Sequence, residues 1–244
     1  MKIKILLAIL FLCSSFARCN SQQKAAGSLP ETTTGYTYSR ASEEGIGKFY
    51  LGREISYVMG AEGSSWLERN SRDKEENTNL ALAKIPLQPN FVVADIGAGT
   101  GYYSFRIATK VPLGKVFAVD IQNEMIDELL KKKARLKDSV VEVVKSTAQS
   151  PNLPVNSTDI VIMVDVYHEL EFPREMLQAL RKVLKPSGKI LLIEYRGEDP
   201  AVLIKPLHKT TVGQLNKEMN ANGFKLDYKG DFLPIQHFLI YEKM

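Results

Sequence analysis

Phe91-Val92-Val93-Ala94-Asp95-Ile96 is a short apolar run carrying one acid, and Gly97-Ala98-Gly99-Thr100-Gly101 follows it without a spacer. A continuous, β-branched run of this length reads as a buried parallel strand, and such a strand needs helices on both faces of its sheet. Glycines directly behind it permit a tight turn, close backbone approach to a ligand and an immediate helix start, here expected over Tyr102 to Lys110. Dinucleotide enzymes place glycines at the first, third and sixth positions of this turn. Here they occupy the first, third and fifth, and Tyr102 stands at the sixth. The junction therefore suits a nucleotide-type ligand other than NAD, although a glycine turn taken alone is also just a tight connection.

The rest of the chain repeats the alternation. Lys115 to Asp120 reads as a second strand ending in a carboxylate about twenty residues past the glycines, where such folds place the acid that accepts from ribose hydroxyls. Asp120 also suits the N-cap of a helix expected over Gln122 to Arg135. A third strand, Val140 to Val144, and a loop, Ser146 to Thr158, lead to an apolar fourth strand, Asp159 to Asp165. A helix over Pro173 to Leu184 stops at the turn Lys185-Pro186-Ser187-Gly188, ahead of a strand over Lys189 to Tyr195. A helix over Thr211 to Asn222, ended by Gly223, precedes a hairpin of strands around Lys225 to Phe232 and His237 to Glu242. The expected fold is α/β, a Rossmann-like doubly wound sheet.

An acid two positions before Gly-x-Gly-x-Gly resembles the first motif of class I S-adenosylmethionine-dependent methyltransferases, and the resemblance covers roughly residues 80–244. It implies a seven-stranded sheet, mostly parallel with an antiparallel C-terminal strand, and S-adenosyl-L-methionine as cofactor. The residues it implies for cofactor binding are Asp95, Gly97, Ala98, Gly99 and Gly101, then Asp120 and Ile121, then Thr147 and Ala148, then Asp165. Thr147 stands where many relatives carry an Asp that contacts the adenine amino group; a hydroxyl accepts the same hydrogen bond without charge. Asp165-Val166-Tyr167-His168-Glu169, with the Pro186-Gly188 turn, looks most like the ubiquinone-biosynthesis type of small-molecule methyltransferase.

The implied chemistry is attack of a nucleophile on the methyl carbon of a sulfonium, aligned in a dry pocket and calling for no metal. A hydroxyl acceptor would need a general base, and His168 with Glu169 lies just past the fourth strand, on the ligand edge of an open sheet. The plainer alternatives are a histidine that ties neighbouring loops together and an acid in the first turn of a helix. Asp165 ends an all-apolar strand and is expected to face cofactor or substrate. Gly197 to Pro200 and Ile204 to Lys209 follow the fifth strand on the same edge, as a closing flap or as ordinary loop. Upstream, apolar residues at helical spacing around Ile55, Val58 and Met59, with the single tryptophan Trp66, suggest a helical extension or lid in which Trp66 packs.

The expected organisation is a leader over 1–19, a flexible tether over 20–42, the helical extension over 43–79 and the methyltransferase domain over 80–244. Met1-Lys2-Ile3-Lys4 followed by the apolar run Ile5 to Cys13 has the design of a secretory signal. Cleavage after Ala17 suits ordinary export to the periplasm, whereas Cys19-Asn20-Ser21 suits lipidation of Cys19 and membrane attachment. Cys13 and Cys19 are the only cysteines, so no disulfide or thiol chemistry is expected in the folded domain. Without Lys2, Lys4 and Arg18, 29 basic residues face 28 acidic ones, and nothing favours nucleic acid as partner. The substrate expected is a small molecule. Two alternatives stay open: an exported, non-catalytic nucleoside-binding module, and a protein methyltransferase of the cell envelope with an acidic channel beside Asp165.

Overall fold

The apolar runs become strands whose side chains alternate between two separate cores. The computed structural model describes residues 34–244; the leader, with Cys13 and Cys19, and most of the tether lie outside these residues. Three short strands come first: β1 (Tyr36–Tyr38), β2 (Gly45–Tyr50) and β3 (Arg53–Ser56), forming an antiparallel sheet in that order. Short helices α1 (Ser64–Leu67), α2 (Arg72–Glu76) and α3 (Thr78–Lys84) then lead into the main body.

The helical reading of 43–79 thus fails over its first third, and the tether ends before β1. Leu51 and Gly52, both at positive φ (48° and 97°), connect β2 to β3, and Tyr50 pairs with Arg53 across them. A two-residue connection with both φ values positive is the turn whose twist suits a tight hairpin. Three apolar residues at helical spacing were too few to outweigh it.

The main body follows: β4 (Val92–Ile96), α4 (Ser104–Ala108), β5 (Lys115–Asp120), α5 (Asn123–Leu136), β6 (Val141–Lys145) and β7 (Thr158–Val164). After these come α6 (Pro173–Val183), β8 (Leu184–Tyr195), α7 (Val212–Ala221), β9 (Phe224–Gly230) and β10 (Gln236–Lys243). The strands join in the order β6-β5-β4-β7-β8-β10-β9, and β10 runs antiparallel to both its neighbours. This is the doubly wound, seven-stranded sheet expected from the sequence. The glycine loop follows β4, beside the point where strand order reverses, the usual ligand crevice of such sheets.

Ile160 and Ile162 of β7 join one core with Phe105 and Leu129, from α4 and α5. Val161 and Met163 join the other with Met176, Leu180 and Leu215, from α6 and α7. That strict alternation holds the sheet between two helical layers. The Lys185 to Gly188 turn is realised inside β8 rather than before it: Thr158 pairs with Leu184, but Ile160 already pairs with Lys189, so the intervening residues bulge outward.

Candidate active site

The carboxyl ends of β4, β5, β7 and β8 open into one cavity of about 580 Å³, a size typical of small-molecule sites. The sequence-predicted residues Asp95, Gly97, Ala98, Gly99, Asp120, Ile121, Thr147, Ala148, Asp165, His168 and Glu169 all reach it. Gly101 does not line the cavity and instead closes the turn: a Cβ there would lie 2.7 Å from the Phe105 ring.

Gly97, Gly99 and Gly101 sit at φ of 69°, 54° and 76°, a region other residues enter at a cost. A Cβ on Gly97 would lie 2.6 Å from Val166 Cγ1, whereas one on Gly99 would meet only Leu67 Cδ1, at 2.9 Å. Gly99 is thus the glycine whose missing side chain leaves room in the cavity. Asp120 fixes this loop. Its Oδ2 accepts from the Gly99 N–H at 2.9 Å and its Oδ1 from the Gln122 N–H at 2.9 Å, so the carboxylate braces both the glycine turn and the start of α5. Two carboxylate oxygens offer about four acceptor positions, leaving capacity toward the cavity. Burial raises the Asp120 carboxyl above its ordinary range, against its backbone hydrogen bonds.

Asp95 plays a bracing role too, since Ser104 Oγ donates to its Oδ2 at 2.6 Å and so ties β4 to the first turn of α4. Burial, reinforced by the nearby Asp120 charge and opposed by the Ser104 hydrogen bond, pushes its carboxyl up to about 7. Thr147 reaches the cavity wall with its hydroxyl already accepting the Ser150 N–H at 3.0 Å in its own turn. Asp165 adopts a φ of 53°, and Gln236 Nε2 donates to its Oδ2 at 2.7 Å. Its Oδ1 is enclosed and has no hydrogen-bond partner among the described residues. Burial first, then the Glu76 and Glu194 charges, hold the Asp165 carboxyl well above its usual range, with Arg72 opposing.

His168 and Glu169 occupy a 3-10 turn, Tyr167–Glu169, just past β7. His168 is 1% exposed; its Nδ1 lies 2.6 Å from Glu194 Oε2 and its Nε2 lies 3.1 Å from His208 Nδ1. Burial alone would lower its pKa, but the Glu194 and Glu169 carboxylates outweigh that and push it up to about 10. The two flanking carboxylates thus favour the protonated imidazole and oppose a general-base role. Glu169 is not a simple first-turn acid either: burial would raise its pKa, yet contacts with His168 and His208 hold it below the ordinary value.

The N-terminal extension supplies a wall of the cavity through Tyr57, Met59, Trp66 and Leu67. Trp66, expected to pack inside a helical layer, is 37% exposed and stacks on the Arg69 guanidinium at 3.8 Å. The extension is held down by Gln122 Nε2 donating to the Met59 carbonyl, and by Thr100 Oγ1 and Lys132 Nζ both donating to Glu68. Leu203, Lys205 and His208, from the loop after β8, line the cavity as well. Sequence reasoning missed Glu194, read simply as part of a strand. The signal was present: an acid inside the apolar run Ile190 to Tyr195, the same feature that singled out Asp165.

Residues 94–192 match the family model described as a methyltransferase domain. Over that span the chain resembles a methyltransferase domain, in the fold of the class I enzymes. Over 121 residues it is 31% identical to phosphoethanolamine N-methyltransferase 1 of Arabidopsis thaliana, covering 49% of this chain and 24% of that protein. Over 135 residues it is 29% identical to the ubiquinone/menaquinone biosynthesis C-methyltransferase UbiE of Cupriavidus taiwanensis, covering 53% and 51% of the two chains. The aligned part thus spans about half or less of these relatives' length. In fold it is similar to a SAM-dependent methyltransferase from Aquifex aeolicus, with a TM-score of 0.72 at 24% identity, over 77% of this chain and all of that one. S-adenosylmethionine is the cofactor of such a domain, and the residues present fit it. The glycine cradle at Gly99 is open, Asp120 keeps acceptor capacity, and the enclosed Oδ1 of Asp165 lacks a donor.

Proposed function

We propose that the chain is an S-adenosylmethionine-dependent methyltransferase acting on a small-molecule acceptor. The observation that carries this reading is the Asp120–Gly99 hydrogen bond in the wall of a mostly apolar cavity. It preorganises a glycine cradle and a carboxylate on the same edge of the sheet. When bound, S-adenosylmethionine supplies an electrophilic methyl group on a sulfonium. The open space at Gly99 would let the cofactor approach the backbone, and the remaining acceptor capacity of Asp120 would hold its ribose.

The chain's own residues then exclude water and align the acceptor, a contribution that reaches several kcal/mol when reacting atoms are held at near-contact distance. Tyr57, Met59 and Leu203 line the cavity from two loops, and their apolar faces favour an acceptor with an apolar body. An acceptor of that kind agrees with the quinone-ring chemistry in the name of the UbiE relative. Calorimetric titration of the full chain with S-adenosylmethionine and, separately, with NAD tests the reading. Binding of the former alone is the expected result; binding of NAD alone, or of neither, removes it.

The leader reading adds a location: export, with attachment to a membrane through lipidated Cys19. Metabolic labelling with tritiated palmitate is expected to mark the wild-type chain and to leave Cys19→Ser unlabelled. Equal labelling of both would discard lipidation at this position.

A further inference from the structure

His168, Glu169 and His208 meet at the acceptor end of the cavity with an arrangement that the methyl-transfer reading does not require. His168 Nε2, His208 Nδ1 and Glu169 Oε1 form a triangle with sides of 3.1, 3.4 and 3.7 Å. Three ligand atoms each about 2.1 Å from a tetrahedral ion stand roughly 3.4 Å apart, so the triangle already has the size of one face of such a site. Its parts come from two separate loops, the turn Tyr167–Glu169 and the turn Pro206–His208.

The support around His168 has the form found behind metal-bound imidazoles. A carboxylate can only accept, so the 2.6 Å contact with Glu194 puts a proton on Nδ1 and directs the Nε2 lone pair at the other two groups. Glu194 is itself fixed, its Oε1 accepting from the Val166 and Tyr167 N–H groups at 3.0 and 2.7 Å. The His168 carbonyl accepts from Arg53 Nη1 at 3.0 Å, which anchors the turn from below. Arg53 is engaged mainly by Glu218, and Lys205 Nζ stands 3.6 Å from Glu44.

We propose that His168, Glu169 and His208 bind a divalent transition-metal ion, with its open positions facing the cavity. Two imidazoles and one carboxylate suit Zn²⁺, Fe²⁺ or Co²⁺ better than the all-oxygen preference of Mg²⁺ or Ca²⁺. The ion's use in catalysis rests on the methyl-transfer reading, whereas its binding does not. An acceptor hydroxyl ligated there loses its proton to solvent, the O–H electron pair staying on oxygen, and this creates an oxyanion nucleophile.

The test is Co²⁺ titration of the full chain without a purification tag, followed by visible absorption, with elemental analysis after gel filtration. One ion per chain is expected, displaced by Zn²⁺. Glu169→Gln and His208→Ala should each weaken Co²⁺ binding by about a hundredfold or more. Glu194→Gln should weaken it by roughly ten- to a hundredfold through the loosened ring. His237→Ala should retain binding, since that third histidine pairs instead with Glu198. Melting curves of Glu169→Gln and His208→Ala serve as the control for an intact fold. No retained Co²⁺ in the wild-type chain, or equal retention by Glu169→Gln and His208→Ala, overturns the proposal. Loss of S-adenosylhomocysteine binding in the wild type with Co²⁺ binding intact would instead overturn the methyltransferase reading and leave the metal site standing.

Discussion

Gly99→Arg is expected to weaken S-adenosylhomocysteine binding at least about a hundredfold, close to 2.7 kcal/mol, while the chain stays folded. The expectation follows from where the missing side chain would go. A Cβ on Gly99 meets Leu67 Cδ1, the far end of a flexible side chain, so the first atom is accommodated by a small shift. The backbone cost of a φ of 54° is real but modest, about 1–2 kcal/mol for a residue other than glycine. The remaining atoms have only the cavity to enter, and there the guanidinium stands beside the Asp120 carboxylate and takes the place of a ribose. Gly99→Ala separates the two effects, since it carries the φ cost without the volume. Calorimetry on both, with melting curves as the control for folding, should show severe loss only for the arginine. Equal affinity in wild type and Gly99→Arg would mean that the glycine turn is a structural connection and no more.

The same turn explains why so much of the fold could be read from the sequence. Parallel strands buried on both faces leave continuous apolar runs, and the helices between them leave apolar stripes such as Pro173, Met176, Leu177, Leu180 and Val183. These are local signals, and they located the seven strands and the cofactor edge. The extension was misread because its structure rests on a non-local pairing: Tyr36 packs on Tyr50, and Tyr50 in turn receives a hydrogen bond from Asn222. Helical spacing around Ile55 gave no hint of that. The acceptor side was half legible. His168 and Glu169 stood out beside an apolar strand, but their chemistry depends on Glu194 and His208, which lie 26 and 40 positions further along the chain. Only the pairing of β7 with β8 and the fold of the following loop bring them together. The upward push on the His168 imidazole is likewise a consequence of its spatial neighbours and could not be inferred from the residue alone.

Glu218→Ala is expected to be the most destabilising single substitution of a polar residue outside the cavity, by about 3–5 kcal/mol, because it strands a buried guanidinium. Glu218 is fully buried on α7, and Arg53 Nε and Nη2 donate to its two oxygens at 2.7 and 2.9 Å. Tyr167 OH and Gln214 Nε2 donate to the same carboxylate at 2.9 and 2.8 Å. Truncation therefore leaves an unpaired charge and two unmet donors in a dry interface, and at roughly 2–4 °C per kcal/mol the melting temperature should fall by about 10 °C or more. Replacing both partners, Arg53→Met with Glu218→Leu, removes the charges together, and buried pairs exchanged in this way often recover most of the lost stability. The double variant separates stability from positioning. Arg53 Nη1 also holds the His168 carbonyl, so a chain restored in melting temperature should still bind Co²⁺ more weakly than wild type, through a less firmly held Tyr167–Glu169 turn. A double variant as unstable as Glu218→Ala would instead mean that the apolar pair cannot fill the space between β3 and α7. Full stability with unchanged Co²⁺ affinity would show that Glu194 alone is enough to orient His168.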